Sequence, residues 1–345
     1  MKESALYRKY RPKKFGDVIG QDQVVLPLEA AIKDKSVSHA YIFAGSRGTG
    51  KTSVARIFAE ELGVFPEDLY EIDAASNRGI DEIRSLREAV HTSPYRSPYK
   101  VYILDEAHML TKDAWNALLK TLEEPPSHVI FILATTELDR VLDTVISRCQ
   151  VFTFKKPNQQ ILKKVVMNIG KSEGYTLAPE SADLIALLAD GSFRDAEGIL
   201  QKVIGSAKDK IIEVEEVEKI TGAPNSRLLN DCLESLEKGD LEKGLKAVRA
   251  AADKNIDMSV FLKRLLERVR VILLLRFAKD MEKEIKEELT EEDFTFLKTI
   301  AVNKDSKIKS DTLHELLNAA EQTTFASITQ LPLELALIKL TNKES

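Results

Sequence analysis

Apolar residues in the first 155 positions fall into short unbroken runs, with helical stripes between them. Residues 40–44 (AYIFA), 69–73 (LYEID), 101–104 (VYIL), 129–135 (VIFILAT) and 151–154 (VFTF) have the length of strands. The continuous apolar character of 101–104 and 129–135 suits strands buried on both faces of a parallel sheet. A helix over 22–34 precedes the first of these runs. Ile80, Ile83, Leu86 and Val90 recur at helical spacing up to the break at Pro94 and Pro98. Thr111 stands in a capping position before a stripe of Ala114, Leu118, Leu119 and Leu122, and Pro125-Pro126 ends it. Strands alternating with helices predict a doubly wound α/β domain. Ligands in such domains bind beyond the carboxyl ends of the strands.

Past Lys156 the strand pattern stops. Residues 158–173, 178–189 and 194–207 read as three short helices, punctuated by Gly174, Pro179 and Gly191. Residues 226–341 read as helical throughout, with turns near 238–240, 254–255, 291–293 and 303–304. The expected boundaries lie near Lys156 and Gly222-Ala223-Pro224-Asn225, which gives domains 1–156, 157–222 and 223–345. No internal repeat or low-complexity tail interrupts them.

Composition narrows the setting. The chain has 345 residues, enough for two or three cores, and 43% hydrophobic with 30% charged residues is the balance of an ordinary soluble protein. The most apolar stretch, 269–277, is interrupted by Arg270 and Arg276, so no membrane span is expected. The opening MKESALYRKYRPKKF lacks the apolar segment of a secretory signal. Cys149 and Cys232 are the only cysteines, too few for a disulfide framework or a four-thiolate zinc site. The expected compartment is a reducing cytoplasm. A net charge of −5 gives no global attraction to nucleic acid, so contact with DNA would need local basic patches.

The chemistry concentrates after the first strand. Gly45-Ser46-Arg47-Gly48-Thr49-Gly50-Lys51-Thr52 fits GxxxxGK[ST] at every fixed position. At average residue frequencies a chain of this length would contain that pattern by chance roughly once in a hundred. Glycines let successive N–H groups turn toward an anion, and the following helix adds its positive dipole end. Lys51 would reach the outer phosphates and Thr52 would sit on Mg²⁺. Asp105-Glu106 closes the run 101–104; Asp105 would hold Mg²⁺ and Glu106 would orient the attacking water. Thr135 and Thr136 end the next strand, where either hydroxyl would meet the γ-phosphate or the water. Arg148, in Ser147-Arg148-Cys149, is a surface residue or an arginine finger acting on a neighbouring subunit. Arg194, at the start of a helix, would fold onto the phosphates.

Other polar residues carry less. The opening 6–21, basic and aromatic, is either a solvated arm or an ordered strap whose Tyr7 and Ile19 flank a nucleobase. Cys149 reads as a packing residue. No two of the five histidines pair at metal-ligand spacing. His108 reads as structural or as a support for the acidic pair, and His39, His91, His128 and His314 as caps or core edges. Trp115 reads as core.

YRKYRPKKFGDVIGQ, GSRGTGKTS, EIDAASNRGIDEIR, YILDEAHML, NALLKTLEEPP, ILATTE, ISRCQVF and GSFRDAEGIL stand in one order along the chain. Together they resemble the gamma/tau ATPase subunits of the bacterial DNA polymerase III clamp loader, which are AAA+ proteins. The likeness is dense over 7–200 and thinner beyond, where it includes LPLELAL at 331–337. It implies a RecA-like α/β AAA+ core, an all-α three-helix lid and an all-α collar. That collar joins subunits into a five-membered spiral with delta and delta-prime type subunits and further copies of the chain. The spiral uses ATP and Mg²⁺ to open a sliding clamp and load it on primed DNA. Onto matching positions the resemblance carries Lys51 and Thr52 for phosphate and metal, Asp105 and Glu106 for metal and water, Thr136 as first sensor, Arg194 as second sensor and Arg148 as finger. Tyr7, Arg11, Pro12 and Ile19 fall where the family closes over adenine and its sugar. Asn77-Arg78 and Thr111-Lys112 lie where helix starts would face DNA phosphates.

The chain departs from the family in two places. Family members usually insert a four-cysteine zinc module before the EIDAAS strand, whereas Gly63-Val64-Phe65-Pro66-Glu67-Asp68 spans that gap without cysteine, so no zinc is expected. The chain also ends just after the expected collar, so the helicase and polymerase contacts of longer tau forms are not expected of it. Two other functions compete: a non-hydrolysing delta-prime-like scaffold, for which the SRC triplet alone would suffice, and an AAA+ branch-migration motor or unfoldase built as a closed six-fold ring.

Overall fold

The computed structural model describes residues 5–207, 209–289 and 291–341. Contact density divides the chain into two units. One comprises the described residues up to Val166 together with Ala189–Gln201; the other comprises Met167–Leu188 and the described residues from Lys202 onward.

The first unit is built on β1 (Ala40–Ala44), β2 (Leu69–Asp73), β3 (Lys100–Asp105), β4 (Val129–Thr135) and β5 (Gln150–Thr153). They form one parallel sheet in the order β2-β3-β4-β1-β5. Successive side chains on a strand point to opposite faces, and both faces here are apolar. Ile42, Leu104 and Leu133 pack with Ile83, Leu86 and Val90 of α4 (Ile80–Val90) and with Trp115, Leu118 and Leu122 of α5 (Lys112–Glu123). Tyr41, Phe43, Ile103 and Ile132 pack with Val24 and Leu28 of α2 (Asp22–Lys33) and with Val54 and Phe58 of α3 (Lys51–Glu61). Burial on two faces explains why the central strands β1, β3 and β4 read as unbroken apolar runs, whereas β2 and β5, at the sheet edges, are largely exposed. The register pairs Ala44 with Thr135 and Leu104 with Leu133. The ends of β1, β4 and β3 therefore emerge side by side, with the end of β4 between the other two.

The opening segment is ordered. It contains the single helical turn α1 (Leu6–Lys9) and buries Leu6 and Phe15 against the first unit. Two buried apolar anchors exclude the solvated-arm alternative. The short helix α6 (Asp143–Ile146) and the turn at 147–149 lead into β5, and α7 (Gln159–Ser172) comes after that strand. α9 (Phe193–Ser206) contributes its first two turns to this unit.

In the second unit the expectation of strand-free sequence is corrected. β6 (Thr176–Leu177) and β7 (Ile211–Ile212) form a parallel pair. Two residues are too few to leave a period in the sequence. They stand beside α8 (Pro179–Leu188) and α10 (Val214–Thr221), the latter a helix not read from the sequence. The expected helices at 158–173, 178–189 and 194–207 are present within a residue or two. The remainder comprises α11 (Ser226–Lys238), α12 (Leu241–Asp253), α13 (Met258–Phe277), α14 (Glu282–Glu288), α15 (Glu291–Val302), α16 (Ser310–Thr323) and α17 (Leu331–Thr341). Glu291, Glu292 and Asp293, expected as a turn, open α15 instead, where three carboxylates face the positive end of the helix dipole. Leu229, Leu233, Val248, Phe261, Leu265, Leu316 and Leu337 share one core. Arg268, 7% exposed, is held inside it by Ser226, Asn230 and Asp293, the last at 2.7 Å. Among the described residues no helix is long and apolar enough to cross a membrane.

Candidate active site

The chain leaves β1 through residues 45–50 and enters α3 at Lys51. Gly45 (φ +152°), Gly48 (φ +73°) and Gly50 (φ +101°) adopt backbone conformations that favour glycine. A Cβ at Gly45 would lie 2.6 Å from the carbonyl oxygen of Phe154, and one at Gly48 would overlap the Ser192 hydroxyl. The loop is therefore pressed between the end of β5 and the start of α9. Thr49 closes the turn by donating its hydroxyl to Ser46 O at 2.9 Å. Lys51 is only 6% exposed, and its ammonium donates to Gly45 O at 2.8 Å and Ser46 O at 3.0 Å. Burial lowers its pKa, while the nearby Glu106 and Asp105 carboxylates oppose that shift.

Thr52 donates its hydroxyl to Asp105 Oδ2 at 2.9 Å, which joins the first turn of α3 to the end of β3. Hydroxyl and carboxylate oxygens are the donors that Mg²⁺ prefers, and these two sit side by side. Glu106 is one of four non-glycine residues with positive φ (+50°) among the described residues. Its N–H donates to Asp105 Oδ1 at 3.0 Å, so the aspartate steadies the turn that aims the glutamate. Glu106 Oε2 accepts the Thr136 hydroxyl at 3.3 Å and lies 3.6 Å from His108 Nδ1. The two threonines thus separate in role. Thr135 is fully buried and holds His108 Nδ1 at 3.1 Å and the backbone of Glu137, whereas Thr136 turns to the acidic pair.

Tyr7, Arg11, Pro12, Ile19, Arg47, Gly48, Thr49, Gly50, Lys51, Thr52, Asp105, Glu106 and Arg194 all line one cavity of about 690 Å³. Gly45 and Ser46 lie in the loop wall behind it, and Thr136 reaches it through Glu106. The Arg194 guanidinium lies 5.0 Å from the centre of the Tyr7 ring, within cation–π range. Arg11 Nε donates to Ser53 Oγ at 2.9 Å, which ties the strap to α3. Ser192 accepts the Asp195 N–H and so opens α9, and the Phe193 N–H donates to Gly48 O at 3.0 Å.

Arg148 is not among the cavity-lining residues. It donates to Thr144 O at 2.6 Å and to Glu123 Oε1 at 2.7 Å and is about one-third exposed. Burial pushes the Cys149 thiol up to about 12, in keeping with a packing role. The Thr111 N–H donates to Arg78 O at 3.1 Å, so the segments carrying Asn77-Arg78 and Thr111-Lys112 meet, with Arg78 and Lys112 exposed. Asn77 and Arg78 sit in the turn ahead of α4 rather than at its first residue, since Gly79 caps that helix.

Several residues in and around the site carried no signal in the sequence. Gln21, 1% exposed, donates to Lys155 O at 2.8 Å and accepts the Lys155 N–H at 3.1 Å, bracing the end of β5; Thr49 O is 3.4 Å away. Arg56 pairs with Glu71 along the cavity wall. Glu197, on α9, also lines the cavity. Only its position on the Arg194 face of a helix would have pointed to it.

Residues 66–158 match a family model described as DNA polymerase III, delta subunit, and residues 212–345 match DNA polymerase III subunits gamma and tau domain III. The chain is 35% identical to DNA polymerase III subunit tau of Bacillus subtilis, over 99% of this chain and 63% of that protein. It is 36% identical to subunit gamma/tau of Mycoplasma pneumoniae, over 75% of this chain and 41% of the relative. With subunit tau of Escherichia coli it shares 33% identity over 81% of this chain and 46% of the relative. It therefore spans between two-fifths and two-thirds of the length of these relatives. The fold resembles Thermotoga maritima RuvB, a Holliday junction branch migration motor, with a TM-score of 0.53, 21% identity, and coverage of 66% of this chain and 79% of that one. At that identity the likeness shows the fold alone. With the strand order, the phosphate loop and these matches in agreement, the chain is similar over almost its whole length to the gamma/tau subunits of bacterial DNA polymerase III, and residues 212–345 match domain III of that family.

Proposed function

We propose that the chain is an ATP-hydrolysing subunit of a clamp loader, which opens a sliding clamp and loads it on primed DNA. The observation that carries this reading is the joined pair Thr52–Asp105, 2.9 Å apart, beneath an intact phosphate loop. Loop amides and Lys51 would bind the β- and γ-phosphates. Thr52 and Asp105 would hold Mg²⁺, which neutralises charge developing on the transferred phosphoryl group. Glu106, aimed by its turn and by Thr136, would orient the attacking water. Arg194 would meet the phosphates from α9, and the strap residues Tyr7, Arg11, Pro12 and Ile19 would close over the nucleoside. Arg148, paired with Glu123 and away from its own cavity, suits a finger acting on a neighbour's nucleotide.

In this proposal the chain comprises a RecA-like domain to residue 156, a lid over 157–222 and a collar from 223. The collar has surface to offer: Leu331, Leu335 and Ile338 recur at helical spacing on α17 and are 41%, 52% and 38% exposed. Partners would be delta and delta-prime type subunits and further copies of the chain, acting in the cytoplasm. Steady-state ATPase assayed with and without partner subunits, clamp and primed DNA tests the reading. Stimulation by clamp and primed DNA is expected, and no hydrolysis under any of these conditions would end it. The non-hydrolysing scaffold is the second reading. The match of residues 66–158 to a delta subunit favours it, since that segment holds Arg148 and omits the phosphate loop.

A further inference from the structure

Five carboxylates line the cavity, and four have partners. Asp17 accepts the N–H groups of Lys13 and Lys14, Glu71 pairs with Arg56, Asp105 accepts from Thr52, and Glu106 accepts from Thr136. The fifth, Glu197, is 8% exposed and makes no hydrogen bond or ion pair among the described residues. A carboxyl buried to that extent without a partner is costly, and such groups cluster where a ligand completes them.

Its place along α9 says which part of a ligand it faces. The first amide of the helix, at Phe193, is bonded to Gly48 O in the phosphate loop. Arg194 lies over the Tyr7 ring, and one turn beyond Glu197 the side chain of Gln201 accepts the Leu6 N–H at 3.0 Å. The face 194–197–201 therefore runs from the phosphate end of the cavity along the strap. Glu197 sits past the phosphate end, and the cavity walls there include Tyr7, Pro12, Val18, Ile19 and Val165. An aromatic and aliphatic wall with a single carboxyl suits a flat heterocycle with one polar edge.

We propose that Glu197 reads the base: its carboxyl pairs with the amino edge of adenine and makes the site select ATP over triphosphates that lack that edge. The inference rests on the ATPase reading of the cavity. A neutral carboxyl offers one O–H donor beside one C=O acceptor. The complement is the N6/N7 edge of adenine, an exocyclic N–H beside a ring nitrogen acceptor, where hypoxanthine presents two acceptors. An ionised carboxylate could only accept. Burial with no cation in range pushes the Glu197 acid up to about 7, toward the form that donates.

The full chain would be titrated with ATP and with inosine triphosphate, which keeps the sugar and phosphates but carries a carbonyl in place of the amine. The wild type should prefer ATP by roughly tenfold or more, the worth of a good bidentate base contact. E197L should lose that factor for ATP while its affinity for inosine triphosphate stays within about twofold. E197Q presents the same donor–acceptor pair as the neutral acid and should keep the preference, as Gln does toward adenine. Equal affinity of the wild type for the two nucleotides would overturn the assignment without any variant. So would an unchanged ratio in E197L, or equal loss of both ligands in E197L and E197Q, which marks a purely structural role. Failure of the wild type to bind any triphosphate, or undiminished ATP binding by K51A, would instead bring down the ATPase reading and this inference with it.

Discussion

The Lys51 ammonium rests on the carbonyls of Gly45 and Ser46, at 2.8 and 3.0 Å, inside a site that shields it from water. A triphosphate offers it a stronger, charged partner. Lys51→Ala is therefore expected to reduce nucleotide affinity by roughly one to two orders of magnitude, on the scale of a buried charge-assisted contact, as read by displacement of a fluorescent analogue. Arg148 is expected to behave in the opposite way. Arg148→Ala should bind nucleotide like the wild type but lose roughly a thousandfold in turnover once partner subunits are present, the usual worth of an arginine finger. Undiminished turnover in the assembled complex would remove the finger role. Lys51, Thr52, Asp105 and Glu106 were legible because each stands at a fixed distance from a glycine or at the end of an apolar run. Glu197 and Gln21 were not. Their neighbours are set by tertiary contacts to the strap and to Lys155, and no local spacing records them.

Among the elements, α5 and the loop at 91–99 show how local chemistry fixes the sheet's surroundings. Thr111 caps α5 by accepting the Ala114 N–H at 3.2 Å. Thr111→Ala should cost about 1 kcal/mol in denaturant unfolding of the first unit. Asp68 is 1% exposed; burial alone would raise its pKa, but the Ser97 hydroxyl and the N–H groups of Tyr95, Arg96 and Ser97 outweigh that and bring it to about 2. The folded value lies below the unfolded one of 3.8, so the stabilisation is fully present above about pH 4 and is lost as pH falls toward 2. Asp68→Asn should flatten the stability curve of the first unit across that window, measured by acid titration of the unfolding midpoint. An unaltered curve would assign the loop's order to other contacts. The three central strands, β1, β3 and β4, were readable because burial on both faces leaves continuous apolar runs, while the edge strands β2 and β5, largely exposed, were readable from shorter apolar stretches. β6 and β7, two residues each, and α10 beside them were not, since their pairing depends on segments more than thirty positions apart.

For the molecule as a whole, assembly is the quantity that separates the competing readings. Native mass spectrometry of the chain with its partner subunits should show a five-membered complex. A closed hexamer of the chain alone would favour the branch-migration type of motor that its fold resembles. Elemental analysis of the same sample is expected to find no stoichiometric zinc. The gap at 63–68 is filled by a turn and a single 3-10 segment, Pro66–Asp68, and carries no thiol. The likeness to gamma/tau subunits was legible from motif order, whereas the face of α17 that stays exposed could be identified only after the helices had packed.

Gly48 joins two distant stretches of the chain through one peptide group. Its carbonyl is engaged by the first amide of α9. Because a trans peptide is rigid and its C=O and N–H point in opposite directions, holding that oxygen also fixes the heading of the Thr49 N–H. One of the amides in the phosphate loop is thus oriented by a residue from the far end of the unit. A proline at position 193 would remove the donor, and the loop would lose its aim without losing a single one of its own residues.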